Sequence, residues 1–336
     1  MPRATRTDVA RRAGVAPSTV SLILGGRSTE LGIAAKTEAK VRSAAEELGY
    51  IPNAAARALR THSSSLIAIV LPRLPAHPYM PIVQVTVVAG LQAAESRGYN
   101  LLTVSDQGSE DDTLARLRGL IGQVGLAGII SQPFSDPRIA DLLRTVGIPV
   151  VWMSPSLTEG TVVTGPHVAI DEKQGVDELL AGLDSHALRS VAFLHGPGGL
   201  PPRVAYAASR LAGASRIIET GDWTAQAAHR EVATLLETSE RPTMVWCASD
   251  ILATGAMRAV SARDLDMGTD ISVVGYGDVS ADPARSPELT SVRWPLRELV
   301  TASMERLMAA VHGVAGAADN TIIPTSVTWG TTALRR

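Results

Sequence analysis

From Leu66 to the end of the chain, short apolar runs alternate with longer amphipathic segments, and this alternation constrains the fold more than any other feature. The run LIAIVLP, at residues 66–72, is apolar throughout, which is typical of a parallel strand buried on both faces. The segments between such runs carry apolar residues at helical spacing. Alternating strands and helices predict an α/β fold built from doubly wound parallel sheets.

The alternation forms two series of similar size. The first extends from residue 66 to about residue 164, and the second begins near His167 with the strand HVAID and runs to the strand ISVVGYG. Two α/β halves are therefore expected to face one another. The polar, turn-rich stretch THSSS, at residues 61–65, is expected to link them to the N-terminal part of the chain.

The N-terminal stretch TDVARRAGVAPSTVSLIL, at residues 7–24, predicts two short helices joined by a tight turn. Thr7 is placed to cap the first helix, and Gly14 supplies the left-handed residue that ends it. Pro17 fits the first turn of the second helix, where a missing N–H is harmless. This is the helix-turn-helix pattern, whose second helix enters the major groove of DNA; an ordinary helical hairpin is the alternative. The side chains expected to meet base edges are Pro17, Ser18, Ser21 and Leu22.

Two more helices are predicted before the linker. Residues 36–48 form a third amphipathic helix able to pack on the hairpin. Pro52 and Asn53 then begin a short helix within GYIPNAAARALR, which at roughly two turns is marginal alone in water. A helix that needs a partner in order to form is a candidate folding switch.

The charge distribution separates the two parts of the chain. Residues 1–62 contain ten Lys and Arg against five Asp and Glu, whereas the remaining residues contain 21 against 28. A basic head on an acidic body is expected if only the head meets phosphates. A basic surface that merely faces solvent is the alternative interpretation.

The sequence suggests neither export nor a membrane anchor. The N-terminal residues are charged throughout, and no apolar run approaches the roughly 20 residues that span a bilayer. The single cysteine, Cys247, lies in the apolar run MVWCA and is expected to be a small core residue. The cytoplasm is the expected compartment.

The segments DVARRAGVAPSTVS and ELGYIPNAAARALR resemble the lactose-repressor family of bacterial transcription regulators, and the resemblance continues to the C-terminus. It implies an all-α helix-turn-helix head with a hinge helix at residues 1–62, and a two-lobed periplasmic-binding-protein-like domain at residues 63–336. Lobe one is expected at about 66–164 plus 292–322, and lobe two at about 165–291 plus 323–336. In this family the hinge helix orders on operator DNA and wedges a leucine into the minor groove. Leu59 occupies that position, with Asn53 and Ala56 beside it.

The head departs from the family pattern at two positions. Leu22 stands where the family usually has Arg, which removes a guanine contact worth about 1 to 3 kcal/mol of discrimination. Ala34 stands where Ser or Thr normally caps the third helix. The operator is therefore expected to differ from the family's common motif. The expected phosphate contacts are Thr5, Arg6, Thr7, Ser21, Thr37 and Tyr50. The other residues expected to contact DNA are Pro17, Ser18, Thr19, Leu22, Asn53, Ala56 and Leu59.

Ligands of open parallel sheets bind beyond the carboxyl ends of the strands, which places an effector between the lobes. The resemblance implies that Arg203 grips effector hydroxyls. The resemblance also implies that Ser154 and Gly277 stand where the family's namesake has aspartates, so fewer carboxylates accept from vicinal hydroxyls. Either the effector is not a typical free sugar, or it binds differently. The expected effector contacts are Arg73, Leu74, His77, Ser131, Ser154, Arg203, Ser249, Asp250, Gly277 and Asp278, with Trp223 and Trp294 as stacking faces that are equally common as core residues.

These observations predict a DNA-binding transcriptional regulator, most often a repressor, controlled by a sugar or related metabolite. No leucine heptad follows TSVTWGTTALRR, so a homodimer is expected rather than a helix-bundle tetramer. A solute-binding protein and a nucleotide- or sugar-handling enzyme are the alternatives. The loop HGPGG, at 195–199, lacks the Lys-Ser/Thr of a phosphate-binding loop, and no nucleophile elbow or metal-ligand spacing is present. No cofactor or metal is expected.

Overall fold

The computed structural model describes residues 4–29, 31–51, 64–71, 81–105, 109–133, 137–154, 165–211, 215–277, 288–314 and 320–336. Contacts within the chain divide it into two compact units, Met1–Ser64 and Ser65–Arg336. The predicted hinge residues Asn53, Ala56 and Leu59 lie outside the described residues, as do Arg73, Leu74, His77 and Asp278.

The first unit contains three described helices: α1 (Arg6–Ala13), α2 (Pro17–Leu24) and α3 (Ala35–Glu47). Gly14 ends α1 with φ +68°, and Pro17 occupies the first turn of α2, as predicted. Val9, Val20, Ile23 and Val41 are fully buried between the three helices. This small apolar core fixes how α1, α2 and α3 pack together.

The N-cap of α1 is Thr5, so the assignment of this role to Thr7 was wrong. The hydroxyl of Thr5 accepts the backbone N–H of Asp8, and the Asp8 carboxylate accepts the N–H of Thr5. This reciprocal capping box needs an acidic side chain three residues after the cap, and only Thr5 has one at that spacing. The third helix begins after Ala34, which makes no side-chain capping bond.

The second unit contains two six-stranded sheets within the described residues. The first sheet has the order β11-β5-β4-β3-β1-β2, and all its pairings are parallel. Its strands are β1 (Leu66–Leu71), β2 (Asn100–Ser105), β3 (Gly128–Ser131), β4 (Val150–Ser154), β5 (His167–Asp171) and β11 (Thr321–Pro324). The helices that pack on its two faces are α4 (Pro81–Glu95), α5 (Glu110–Gln123), α6 (Pro137–Thr145) and α11 (Leu296–Val311).

The second sheet has the order β12-β10-β9-β8-β6-β7, and only its edge strand β12 is antiparallel among the described pairings. Its strands are β6 (Val191–His195), β7 (Ser215–Glu219), β8 (Met244–Cys247), β9 (Ser272–Gly277), β10 (Thr290–Arg293) and β12 (Ser326–Thr328). Its faces are covered by α7 (Glu172–Gly182), α8 (Pro202–Arg210), α9 (Ala225–Glu237) and α10 (Asp250–Ser261), and a short 3-10 turn spans Ala187–Arg189.

The strand β5 belongs to the first sheet, so its assignment to the start of the second series was wrong. It pairs in parallel with β4 on one side and with β11 on the other. The helix α7, which follows β5, does pack in the core of the second sheet, whereas β5 itself does not. Apolar periodicity identifies a buried strand but carries no information about which sheet receives it, and this explains the error.

The chain passes between the two sheets at three places, after β5, after β10 and between β11 and β12. Thr325 joins two of these crossings. Its hydroxyl donates to the carbonyl of Asp171 at 2.7 Å and accepts the N–H of Gly175 at 2.8 Å, and the residue is buried. Thr325 therefore ties the fourth residue of α7 to the end of β5.

Among the described helices, none combines the length and the apolar character needed to cross a bilayer.

Candidate functional site

The second helix of the head presents the residues expected at base edges on one face. Pro17 and Ser18 are exposed, and Ser21 and Leu22 are partly exposed one turn later. Residues four apart share a helix face, so these four side chains form one surface, whereas Val20 and Ile23 point into the core. Thr19, Thr37 and Tyr50 are partly buried, and Tyr50 packs on the head's core.

Arginines of the head form ion pairs with carboxylates among its described residues. Arg11 contacts Asp8 at 3.4 Å, Arg12 contacts Glu47 at 2.6 Å, and Arg42 contacts Glu38 at 2.6 Å. The hydrogen bond from Arg12 lowers the pKa of the exposed Glu47, and the bond from Arg42 lowers the pKa of Glu38 in the same way. Arg6 differs from these three, because its Nη1 donates to the neutral hydroxyl of Ser21 at 3.1 Å.

In the second unit, Arg203 lies at the centre of a cluster of side chains. They come from strands that end, and helices that begin, at the carboxyl edge of a sheet. The Nη1 of Arg203 contacts Glu172, the first residue of α7, at 3.3 Å. Its Nη2 donates to the carbonyl of Ala248, directly after β8, at 2.9 Å. The guanidinium carbon lies 4.5 Å from the centre of the Tyr276 ring and 5.4 Å from that of Trp294. The side chains of Arg203 and Glu172 are only 13% and 6% exposed.

One nitrogen of Arg203 makes no hydrogen bond to any described residue. This nitrogen is Nε, and it is buried. A buried N–H without an acceptor costs free energy, so an acceptor supplied by a bound molecule would be favourable there. We refer to Arg203, Glu172, Tyr276 and Trp294 as the arginine cluster.

Tyr276 contacts both members of the ion pair between Arg203 and Glu172. Its hydroxyl donates to Glu172 at 3.2 Å, and its ring meets Trp294 edge to face with the centroids 5.9 Å apart. Burial and the nearby Glu172 carboxylate raise the pKa of Tyr276 well above its ordinary value of 10. The phenol therefore remains protonated and continues to donate to the carboxylate at neutral pH.

Arg203, Gly277 and Trp294, all expected from the sequence to contact an effector, lie close together in the structure. The N–H of Trp294 donates to the carbonyl of Gly277 at 2.9 Å, which joins the ends of β9 and β10. Glu172 and Tyr276 were missed. Glu172 directly follows a strand, the same signal that marked the other candidates, and Tyr276 directly precedes Gly277.

Ser249 and Asp250 follow β8 and begin α10. The Ser249 hydroxyl accepts the N–H of Leu252 and caps the helix. The Asp250 carboxylate is buried and accepts the hydroxyl of Ser291 at 2.7 Å. Both side chains have structural partners, and Ser249 directly follows Ala248, whose carbonyl accepts from Arg203.

Trp223 packs on the loop that follows β6. Its Nε1 donates to the carbonyl of Pro197 at 2.9 Å, and its ring covers Gly196, where any Cβ would collide with the indole. The ring is partly exposed and also packs on both cores of the second sheet. Packing against Trp223 therefore explains a glycine in the loop HGPGG.

Ser131 and Ser154 end the neighbouring strands β3 and β4 of the first sheet, and both are buried. The hydroxyl of Ser131 donates to the carbonyl of Gln132 at 3.0 Å. The arginine cluster, by contrast, is built on strands and helices of the second sheet together with Trp294.

Cys247, predicted to be a core residue, is fully buried, and burial raises the pKa of its thiol.

Comparison with known proteins gives two matching family models. Residues 5–53 match the bacterial regulatory proteins of the lacI family, and residues 197–333 match the periplasmic binding protein-like domain. The first match covers the described helices of the head. The second begins just after β6 and includes Arg203, Tyr276 and Trp294 of the arginine cluster.

Named transcription regulators align along most of this chain. The lactose operon repressor of Escherichia coli (strain K12) is 29% identical over 342 residues, covering 97% of this chain and 90% of the relative. Catabolite control protein A of Priestia megaterium is 26% identical over 322 residues, covering 89% and 90%. The transcriptional repressor PurR of Proteus mirabilis (strain HI4320) is 26% identical over 317 residues, covering 91% and 89%.

A solved structure of the lac repressor dimer bound to operator and the anti-inducer ONPF superposes on 99% of this chain and 100% of its own, with a TM-score of 0.82 and 26% identity. A lac repressor structure bound to ONPG in the repressed state covers 98% and 100%, with a TM-score of 0.78 and 27% identity. Head and body are thus matched together, in the same order along the chain. The chain belongs to the lactose-repressor family of bacterial transcription regulators.

Proposed function

We propose that this protein is a transcriptional repressor that binds operator DNA through its head and senses a small molecule through its body. The observation that carries the proposal is the pairing of an exposed recognition surface on α2 with the arginine cluster at the strand ends of the body. Such a regulator acts in the cytoplasm, beside the chromosome.

The DNA-binding form is a homodimer in this proposal. Two heads then read a pseudo-palindromic operator, with each α2 entering the major groove at one half-site. The hinge segment orders only while the partners hold the two hinges together, and Leu59 wedges into the minor groove. The wedge unstacks a base step at a cost of a few kcal/mol, which the contacts of the bent duplex offset.

The arginine cluster favours an uncharged polyhydroxy effector. Glu172 already neutralises the Arg203 guanidinium. An anionic ligand would have to displace Glu172 or lie beside its carboxylate, which is unfavourable in a partly buried site. A neutral hydroxyl or ether oxygen can accept from the unused Nε–H without this penalty. Trp294 offers a broad apolar face to the same ligand.

In this proposal, effector binding controls operator affinity because a ligand held by the arginine cluster also contacts the first lobe. A ligand that contacts both lobes favours one angle between them, and that angle sets the spacing of the hinges. The shift in operator affinity cannot exceed the ratio of the ligand's affinities for the two states.

The experiment that tests this proposal is selection of bound sequences from a random DNA pool by the purified protein. The selection is repeated with neutral sugars and with their phosphorylated forms. We expect a palindromic site with a flexible pyrimidine–purine centre, and we expect a neutral compound to change its recovery. Absence of any enriched sequence would contradict operator binding, and a response to phosphorylated compounds alone would contradict the uncharged effector.

The wedge is tested separately by Leu59→Ala. We expect weaker operator affinity with unchanged effector binding, because Leu59 contacts only DNA in this proposal. Titration of the operator and of the identified effector measures the two affinities independently. Equal operator affinity for the variant and the parent protein would eliminate the wedge.

A further inference from the structure

The recognition helix α2, PSTVSLIL, carries no charged side chain. Its exposed face offers only a proline ring, two serine hydroxyls and a leucine. Hydroxyls accept and donate single hydrogen bonds to several bases and so discriminate weakly, whereas a guanidinium pairs bidentately with O6 and N7 of guanine. The described face of α2 therefore lacks the group that reads guanine best.

Arg6 brings a guanidinium to this face from another helix. It is exposed at the start of α1, and its Nη1 donates to the hydroxyl of Ser21 at 3.1 Å across 15 residues of sequence. Ser21 lies one turn beyond Pro17, on the surface shared by Ser18 and Leu22. The guanidinium is thus held beside the middle of the recognition face.

The partner of Arg6 leaves its charge available. Arg11, Arg12 and Arg42 each end on a carboxylate, which reduces their attraction to DNA. Ser21 is neutral, and one hydrogen bond to Nη1 leaves other N–H groups of the guanidinium free to donate. Arg6 is therefore held in place by Ser21 and keeps its full charge, so it can make a directional contact with DNA.

We propose that Arg6 reads a guanine in the major groove and supplies the guanidinium that α2 lacks, with Ser21 as its positioning residue. The inference rests on the proposed operator binding, and it replaces the expectation that Arg6 contacts a phosphate. A guanine contact acts at one base pair of each half-site, whereas a phosphate contact acts equally on all sequences.

The test uses the full-length protein and the operator that the parent protein selects. Affinities are measured for every single-base variant of one half-site, at several salt concentrations, for the parent and for Arg6→Lys. Lysine keeps the positive charge but loses the bidentate fork. We expect the preference for guanine at one position to fall by roughly 5- to 150-fold. We expect unchanged preferences elsewhere and an unchanged salt slope.

Three further variants sharpen the result. Arg6→Met should lose the same preference, which shows that the guanidinium itself is required. Ser21→Ala should lose part of the preference at that same position, because Arg6 is then less well positioned. Arg11→Met is the matched control, since Arg11 lies on the same helix and pairs with Asp8. It should leave the guanine preference intact.

Two outcomes would overturn the inference. One is a uniform loss of affinity in Arg6→Met, with the salt slope smaller by about 0.9, which identifies a phosphate contact. The other is a parent-like preference in every Arg6 variant. Both require that the parent protein selects a specific sequence, so they are distinct from failure of the proposed function, in which the parent selects none.

Discussion

The guanidinium of Arg203 lies over the ring of Tyr276, with the guanidinium carbon 4.5 Å from the ring centre. The Tyr276 hydroxyl also donates to Glu172, which pairs with the same guanidinium. The three side chains therefore form a closed set in which each one contacts the other two. Removal of any member leaves a partly buried polar group without one of its partners.

We expect Glu172→Gln to destabilise the body by about 3 kcal/mol, because the variant leaves a buried guanidinium without its counter-charge. Urea unfolding monitored by circular dichroism measures the loss. Arg203→Met added to Glu172→Gln should recover most of it, since no uncompensated charge remains. Glu240→Gln is the matched control: it removes the exposed ion pair with Arg216, and such pairs contribute about 0 to 1 kcal/mol. Equal effects of the two Glu→Gln substitutions would contradict the role of burial.

Alkaline pH should weaken the body through Tyr276. Its pKa is raised in the folded state by burial, so the folded protein keeps a proton that the unfolded chain loses above about pH 10. The stabilisation from this proton is complete below pH 10 and decreases as the pH rises further. Tyr276→Phe should show a shallower decrease than the parent when urea midpoints are compared between about pH 9 and pH 11. Parallel curves for the two proteins would refute this contribution.

Gly196→Ala should destabilise the protein by about 1 to 3 kcal/mol, because the new methyl group collides with the Trp223 ring. Thermal unfolding measures the change, and tryptophan fluorescence should report a displaced ring. Gly119→Ala is the matched control on α5, where a Cβ meets nothing within 4 Å. There the same substitution should stabilise by about 0.5 to 1 kcal/mol. A neutral result at Gly196 would mean that the loop moves freely away from Trp223.

Thr325→Val should cost about 1 to 3 kcal/mol, because it leaves the Gly175 N–H and the Asp171 carbonyl without the hydroxyl that joins them. The side chain keeps its volume, so the loss isolates the hydrogen bonds. Hydrogen exchange at Gly175 should accelerate in the variant. Thr234→Val, at an exposed helical position, should change stability by less than about 0.5 kcal/mol. If exchange at Gly175 stays slow, another group satisfies it.

Local signals predicted most of the fold. Gly14 and Pro17 act through their own backbone geometry, so their roles could be recognised without knowledge of the rest of the molecule. The N-cap of α1 was harder to predict. Thr5 and Thr7 both suit the position, and only the reciprocal hydrogen bonds with Asp8 decide between them. The sheet that receives β5 was not predictable, because a buried strand has the same periodicity in either sheet.

The arginine cluster was predicted only in part. The rule that ligands bind beyond strand ends pointed to Arg203 and Gly277, and the family resemblance placed Trp294 near the same cleft. Glu172 lies 31 residues from Arg203, and Tyr276 lies 104 residues from Glu172. Such pairings arise from tertiary packing, and one sequence contains no record of them. The contact between Arg6 and Ser21 is hidden for the same reason.

Trp294 packs against the core of the first sheet and against one core of the second, while its ring also faces the Arg203 guanidinium. One rigid indole therefore borders both lobes and the site at once. A molecule that displaces this ring has to repack the two cores together, and a change in the angle between the lobes has to reshape the wall of the site. For an effector held by the arginine cluster, as proposed above, contact with this one side chain would link ligand size directly to lobe geometry.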